Sequence, residues 1–269
     1  MENCKICDSR LNKIMTKSIL NKYNVDYHKC KNCGFIQTDE PFWLDEAYEN
    51  AITSLDLGII YRNSHLNIEI EKLINHCFKE SKVFLDYAGG YGIFTRMMRD
   101  KGFNFYHHDI HCKNLFANHF ELEDSGQAFF DLVTAFEVLE HFSNPLEEIE
   151  KIFKLGANFI FTTELVPENF TSEWMYIAPE TGQHVSFYTE KSLKIIAEKF
   201  GYNVYSKDDF IHIFTKKDLK EDQLNFDYYM IKSKFFGLIK KRKKTDLIIN
   251  RESLLQKDYN HVKQIINTN

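Results

Sequence analysis

The sequence predicts an α/β fold: a doubly wound, mostly parallel sheet with helices on both faces, a small cysteine-knuckled appendage before it and a helical tail after it. Three observations carry that expectation. Val83 to Gly92, VFLDYAGGYG, reads as a buried strand running into a glycine-rich turn, and Ile93 to Lys101 has helical character that stops at Gly102. Downstream, strand-like apolar runs alternate with amphipathic segments, the order that builds a parallel sheet with crossover helices. Upstream, Cys4-Lys-Ile-Cys7 and Cys30-Lys-Asn-Cys33 place four of the six cysteines in two C-x-x-C knuckles.

The knuckles come first in the chain. Twenty-two residues separate Cys7 from Cys30. Each knuckle turns both sulfurs towards one point, and two of them make a tetrahedral thiolate cage suited to Zn²⁺. Two disulfides compete poorly, because disulfides are rare in a reducing compartment, and a thioredoxin-like redox pair needs only one C-x-x-C. Four thiolates from Cys4, Cys7, Cys30 and Cys33 leave no open coordination position, so the expected metal is structural. It replaces the core that about forty residues cannot build. Tyr23 to Lys29 alternates apolar and polar residues and reads as one strand of a hairpin, with Gly34 to Gln37 starting another, so a ribbon is expected over residues 1–38. Zinc ribbons also bind nucleic acid or protein, but no basic, aromatic-studded face is present. Cys77 and Cys112 read as core or semi-buried residues.

Bulk properties narrow the class. A chain of 269 residues with 43% hydrophobic content holds a sizeable core, as one large domain or a catalytic domain with an appendage. A net charge of −5 gives no electrostatic case for nucleic acid. No apolar run is long enough to span a membrane and the N-terminus lacks an apolar h-region, so a cytoplasmic protein is expected. There is no internal repeat and no low-complexity linker.

Asp39 to Lys79 reads as a helical lead-in, assigned to residues 39–80, with Ile68, Ile70, Leu73, Ile74 and Cys77 as its apolar face. The main domain is expected over residues 81–216. Phe103 to Asp109 is a strand ending on an acid, seventeen residues after Gly92. Asn144-Pro145 with Glu147 and Glu148 starts a helix, since proline suits the first turn and acids suit its positive end. Asn158 to Thr163 is the next strand, followed by a loop from Glu164 to Tyr188. Thr189 caps a helix with Leu193, Ile196, Ala197 and Phe200 on one face, and Gly201 stops it. Tyr202 to Ser206 and Phe210 to Thr215 finish the sheet as a hairpin. Residues 217–269 read as a polar helical extension containing the run Lys240 to Lys244, either a solvated face or an attractor for an anionic substrate.

Strand, glycine turn and helix make a backbone cradle at the carboxyl end of a parallel strand, where open α/β sheets bind nucleotides. Asp86 puts an acid at that strand end, which suits a cationic or zwitterionic cofactor better than a dinucleotide phosphate. The run Asp86-Tyr-Ala-Gly-Gly-Tyr-Gly92 resembles the D-x-G-x-G-x-G loop of class I S-adenosylmethionine-dependent methyltransferases. Ala88 replaces the first glycine, a mild departure if that position takes a negative φ. Asp131 to His141, DLVTAFEVLEH, resembles the fourth-strand segment of the same family, and Asp109 lies where a carboxylate accepts both ribose hydroxyls. The resemblance implies a seven-stranded Rossmann-like sheet and S-adenosyl-L-methionine as cofactor. The implied cofactor contacts are Asp86, Ala88, Gly89, Gly90, Gly92, Phe94, Asp109 and Phe136.

The segment Ala47-Tyr48 to Arg62-Asn63 resembles the lead-in of zinc-ribbon-bearing methyltransferases encoded with sugar and surface-polysaccharide genes. In that resemblance Tyr48, Arg62 and Asn63 reach over the carboxylate end of the cofactor, with Arg62 as its ion partner; the alternative leaves all three on exposed surface. Gln183 to Tyr188 resembles a segment of sugar-modifying methyltransferases in which a histidine lies beside the acceptor. Expected acceptor contacts are Glu164, Trp174, Tyr176, Glu180 and Tyr188, whose aromatic faces suit a sugar ring.

Methyl transfer to an alcohol oxygen needs a base, and a neutral imidazole is the natural one. His184 is the first candidate. His141 is the second, with a helix-start histidine bonded to backbone as its alternative, and Glu137 or Glu164 orients or shares the proton. His107, His108, His111, His119 and His212 read as ordinary surface or strand residues.

The resemblance extends to about residue 216 and implies O-methylation of a hydroxyl on a sugar or sugar nucleotide. C- or N-methylation of another small metabolite competes, although the keto-sugar C-methyltransferases resembled here carry a further C-terminal domain. A nicotinamide-dependent oxidoreductase is disfavoured because Thr95 stands at the third glycine of G-x-G-x-x-G. A non-catalytic zinc scaffold leaves the three cofactor motifs unexplained.

Overall fold

The structure, a computed structural model, describes residues 3–49, 52–224, 228–232, 239–243 and 251–268. The ribbon opens with β1 (Leu11–Ile19) and β2 (Tyr23–Cys30), an antiparallel hairpin, and continues into β3 (Ile36–Thr38). The sequence reading found the second and third of these strands and missed β1, whose middle is largely exposed and so carries little apolar alternation. A fourth strand, β8 (Ser186–Phe187), comes from far downstream and pairs antiparallel with β3, giving the order β1-β2-β3-β8.

The lead-in is helical only in part. α1 (Leu44–Ala47) is one turn, and α2 (Ile59–Cys77) begins after Gly58. Between them Thr53 to Gly58 turns, with the Asp56 amide donating to the Thr53 carbonyl at 3.1 Å. Serine, aspartate and glycine there favour turns over helix. The buried face of α2 holds Leu66, Ile70, Leu73, Ile74 and Cys77, at the i, i+4, i+7, i+8 spacing of an amphipathic helix. Ile68, expected on that face, is 48% exposed because it lies on the opposite side from Leu66 and Ile70.

The second sheet is built on β4 (Val83–Tyr87), which pairs parallel with β5 (Asn104–His108) and β6 (Leu132–Phe136). β6 pairs parallel with β7 (Asn158–Thr162), and β9 (Asn203–Lys207) and β10 (Ile211–Thr215) add an antiparallel hairpin. The order is β5-β4-β6-β7-β10-β9, a six-stranded, parallel-rich sheet in a mixed α/β chain. Seven strands were expected. Beside β5 the chain makes a single parallel bridge, His107 to Glu121, because it turns on both sides of that point: His119 has φ 68, and Glu121 donates its amide to the Asp124 carboxylate.

Helices α3 (Ile93–Asp100), α4 (Pro145–Leu155) and α5 (Glu190–Phe200) follow their strands as expected. Thr189 and Ser192 form a capping box at the start of α5, and Gly201 ends it in the left-handed conformation at φ 71. The C-terminal extension, expected to be helical, contains α6 (Glu221–Leu224), a hairpin of β11 (Tyr228–Lys232) and β12 (Ile239–Lys243), and α7 (Leu255–Thr268). Lys244 and the side-chain surroundings of the basic run lie outside the described residues. α7 is anchored by a buried ion pair, Arg99 donating to both oxygens of Asp258 at 2.7 and 2.8 Å.

The ribbon is not a separate unit in packing. Cys4, Ile6, Leu11, Cys30, Cys33 and Phe35 share one apolar cluster with Leu85, Val133, Phe161, Tyr188 and Leu193 of the main sheet and its helices.

Candidate active site

The glycine loop begins at the end of β4. Ala88 has φ +54, so the condition under which its replacement of glycine would be mild, a negative φ, is not met; an L residue in that region costs about 1–2 kcal/mol. Gly89 is required by space: a Cβ there would stand 2.6 Å from Asp86 Oδ2 and 2.8 Å from His107 Cδ2. Gly90 and Gly92 follow with φ +58 and +81.

Asp86 lies beneath this loop and is 1% exposed, so it does not present its charge to the cleft as expected. The Thr95 and Thr134 hydroxyls each donate to its carboxylate at 3.0 Å. Burial still pushes its pKa up to about 6, against the lowering effect of His107 and the two threonines. Thr95, the residue that breaks a dinucleotide motif, is thus a support for the acid under the loop. His107 is a support too, not an ordinary strand residue: it is buried and its Nε2 contacts the Gly90 carbonyl at 2.9 Å.

Asp109 ties the next loop to the first. Its Oδ2 accepts the Gly90 amide at 2.9 Å, and its Oδ1 accepts the His111 and Cys112 amides, each at 2.7 Å.

These groups border a cleft of about 1160 Å³. Asp86, Ala88, Gly89, Gly90, Phe94, Asp109 and Phe136 line one part, Tyr48, Arg62 and Asn63 another, and Glu137, His141, Glu164, Tyr176, Glu180 and His184 a third. Gly92, Trp174 and Tyr188 are not among the lining residues. Gly92 starts α3 and abuts Asn114. Trp174 packs against Phe170, Tyr176 and Phe187, and Tyr188 is fully buried with its hydroxyl donating to the Leu139 carbonyl. Tyr188 is core and Trp174 is half-buried against a second cluster, because the loop folds onto the ribbon sheet through β8.

Arg62, expected to face a cofactor carboxylate, forms a two-point ion pair with Asp56 at 2.8 and 3.1 Å. Asn63 donates to the Ile59 carbonyl within its own helix. Tyr48 contacts His141 Nδ1 through its hydroxyl at 2.8 Å and stacks on His111. His111 is exposed, as read from the sequence, and lines the cleft.

His184 Nδ1 lies 2.6 Å from the Tyr176 carbonyl. A carbonyl only accepts, so Nδ1 carries the hydrogen and Nε2 keeps its lone pair. The His141 and His184 rings meet edge to face at 4.9 Å. Burial lowers both pKa values, so both imidazoles are neutral near pH 7. The loop that carries His184 is held by the ribbon and the lead-in: Thr38 donates to Val185, Gln183 to Ala47, and Trp43 to Gly182.

Glu137 adopts φ +56 and accepts from Thr162 at 2.8 Å; burial and then the neighbouring Glu140 push its pKa up to about 7. Glu140 escaped the sequence reading. It is fully buried, and neither carboxylate oxygen has a hydrogen-bond partner, although the Tyr176 and Thr163 hydroxyls approach it. Its signal was an acid set between leucine and histidine in Val138-Leu139-Glu140-His141, read as motif and not as a buried charge.

At the other end of the chain the four knuckle sulfurs converge. Cys4 and Cys33 Sγ are 3.6 Å apart, Cys7 and Cys30 Sγ are 3.4 Å apart, and all four lie within 4.8 Å of one another. A tetrahedron of ~2.3 Å zinc–sulfur bonds has edges of roughly 3.8 Å, so the cluster fits that ion.

No curated protein matches the chain. Among solved structures, similarity is found to TnmH, 14% identical over 66% of this chain and 62% of that one, with a TM-score of 0.47. Human N-acetylserotonin methyltransferase in complex with SAM is 14% identical over 65% of this chain and 66% of its own, with a TM-score of 0.41. An O-methyltransferase family protein from Burkholderia thailandensis is 11% identical over 59% of each chain, with a TM-score of 0.40. The chain spans less than two thirds of each, and likenesses this distant carry nothing about the acceptor. A family model described as a methyltransferase domain matches residues 62–207, more than half of the chain, which includes the glycine loop, Asp109, Glu137, His141 and His184. The chain therefore belongs to the methyltransferase-domain family.

Proposed function

We propose that this chain transfers the methyl group of S-adenosylmethionine to a hydroxyl oxygen of a sugar, in the synthesis of a surface polysaccharide. One observation carries the transfer chemistry: the desolvated His184, with its Nδ1 hydrogen engaged by Tyr176, offers an Nε2 lone pair in the cleft that the glycine loop also lines. In the reaction the acceptor oxygen attacks the methyl carbon in line as the carbon–sulfur bond breaks and sulfur takes the electron pair, while the hydroxyl proton passes to Nε2. Positioning and a base of this kind supply the acceleration, the base roughly 10²–10⁴-fold. His141 is the second base in the reading, and Glu137 shares or orients the proton.

Cofactor contacts are assigned to Ala88, Gly89, Gly90, Phe94, Asp109, Phe136 and Tyr48, with Asp86 and Gly92 shaping the loop from outside the contact surface. Besides the buried Asp86, seven carboxylates line the cleft against one guanidinium, itself paired with Asp56. That field favours a sulfonium and opposes a diphosphate, so a free or lipid-linked neutral sugar is placed ahead of a sugar nucleotide. The sugar assignment leans on the resemblance of Gln183 to Tyr188; of the aromatic faces first assigned to the ring, Tyr176 alone remains beside Glu164 and Glu180. Zinc is assigned to Cys4, Cys7, Cys30 and Cys33, where it is structural.

The test is a pair of variants. His184→Ala should lower turnover by about two powers of ten or more with cofactor affinity nearly intact. Normal turnover in His184→Ala with an inactive His141→Ala transfers the role to His141. Normal turnover in both removes the histidine base and with it the O-methylation reading.

A further inference from the structure

We propose that Glu140, His141 and His184 form a divalent-cation site at the floor of the cleft, with one coordination position open to the acceptor. One ligand atom from each of the three residues lies within 4.8 Å of the others, and His141 Nε2 stands 4.0 Å from Glu140 Oε1. Two imidazoles and one carboxylate are the donor set of open catalytic zinc sites and of other open divalent sites. Bonds of about 2.0–2.2 Å require the three side chains to draw in by roughly an ångström.

Two further features point to an ion. The Glu140 carboxylate is fully buried and unpartnered, a costly arrangement unless a cation satisfies it. Each histidine also has its second nitrogen engaged, His184 Nδ1 by the Tyr176 carbonyl and His141 Nδ1 by the Tyr48 hydroxyl. That is how metal-bound histidines are oriented, leaving both Nε2 atoms for the ion. The carboxylate-lined cleft raises the local concentration of cations.

The site stands without the methyl-transfer reading; its consequence for the reaction rests on that reading. An ion held by Glu140, His141 and His184 would occupy the His184 Nε2 lone pair and supply an acidifying contact for the acceptor hydroxyl, whose proton would then pass to Glu137 as the carbon–oxygen bond forms and the carbon–sulfur bond breaks.

The experiment titrates Co²⁺ into the full chain whose ribbon has been filled with zinc, following visible absorption and bound cobalt, with S-adenosylhomocysteine binding measured in parallel. About one equivalent should bind with ligand-field bands and no thiolate charge transfer. Glu140→Gln and His184→Ala should weaken it by roughly tenfold or more, and Tyr48→Phe by about 10–100-fold, as for loss of a group orienting a metal ligand. Melting temperatures of the variants report whether they fold. No cobalt uptake, uptake with thiolate charge transfer alone, or equal affinity in a folded Glu140→Gln protein overturns the site. If S-adenosylhomocysteine still binds in that case, the methyltransferase reading survives. Cobalt binding without S-adenosylhomocysteine binding would sink that reading and leave the ion site standing.

Discussion

At Gly89 the backbone of the loop rests directly on a buried acid and a histidine ring, and no side chain fits between them. Gly89→Ala should therefore lift the loop and abolish cofactor binding, seen as loss of the calorimetric signal with S-adenosylhomocysteine. One residue earlier the balance is opposite. Ala88→Gly removes about 1–2 kcal/mol of left-handed strain and adds about 0.5–1 kcal/mol of unfolded-state entropy, so its midpoint in urea should hold or rise slightly. Asp86 makes a pH forecast. Its native pKa of about 6 is raised above the ordinary value, so the native state holds a proton that the unfolded chain has released. Its contribution to stability is complete below roughly pH 4 and is lost as pH rises to about 6, a change on the order of 3 kcal/mol. Asp86→Asn should remove that dependence, so the stability difference between the two proteins, measured at pH 4.5 and pH 7, should shift in favour of the variant; a constant difference would show that Asp86 ionises normally.

At the scale of elements, Asp109 joins the loop after β5 to the loop after β4. Its carboxylate accepts three backbone amides, so it holds the shape of the cradle whatever else it binds. Asp109→Ala should weaken S-adenosylhomocysteine by about 1.5–3 kcal/mol, as for a lost charged hydrogen bond, and lower the melting temperature as well. Affinity equal to that of the parent protein would take Asp109 out of the site. β8 is only two residues long, yet it decides where the acceptor loop lies. Its pairing of Ile36 with Phe187 and Gln37 with Ser186 draws Tyr188 into the core, packs Trp174 half-buried against the ribbon side, and leaves Tyr176 and His184 at the cleft.

At the scale of the molecule the cysteine cluster and the cleft are mechanically continuous. Thr189 donates to the Cys33 carbonyl at 2.6 Å, and the knuckle residues share their core with the main sheet. A ribbon on a flexible tether would unfold alone. Here Cys30→Ser should lose the zinc, about one ion per chain in the parent protein, and speed amide exchange in the segment 183–188 as well as in the ribbon. Turnover should fall while S-adenosylhomocysteine affinity changes little. Exchange confined to the ribbon would show that the shared core transmits nothing. Among the described residues no helix is long and apolar enough to cross a membrane.

The sequence by itself determined the strand–glycine–helix unit, the helix start at Asn144-Pro145, the helix cap at Thr189, the terminal hairpin of the main sheet and the cysteine cluster. Each rests on short-range chemistry: apolar runs, turn residues and ligand spacing act within a few residues of one another. It also identified the residues that line the cleft on the glycine-loop side, because their order along the chain follows the strand ends. Tertiary structure decided the rest. The need for glycine at Gly89 depends on Asp86 and His107 packed beneath the loop. The count of six strands in the main sheet among the described residues depends on turns flanking Glu121, and the fate of Trp174 and Tyr188 on a two-residue pairing with a strand some 150 residues away. Glu140 is the sharpest case. In sequence it is one acid among 39 acidic residues, and only the closure of three segments around it, bringing Thr163, Tyr176 and His184 to its side, makes it a buried carboxylate without a partner. A charge acquires that character from what surrounds it, and sequence neighbours supply little of the surroundings.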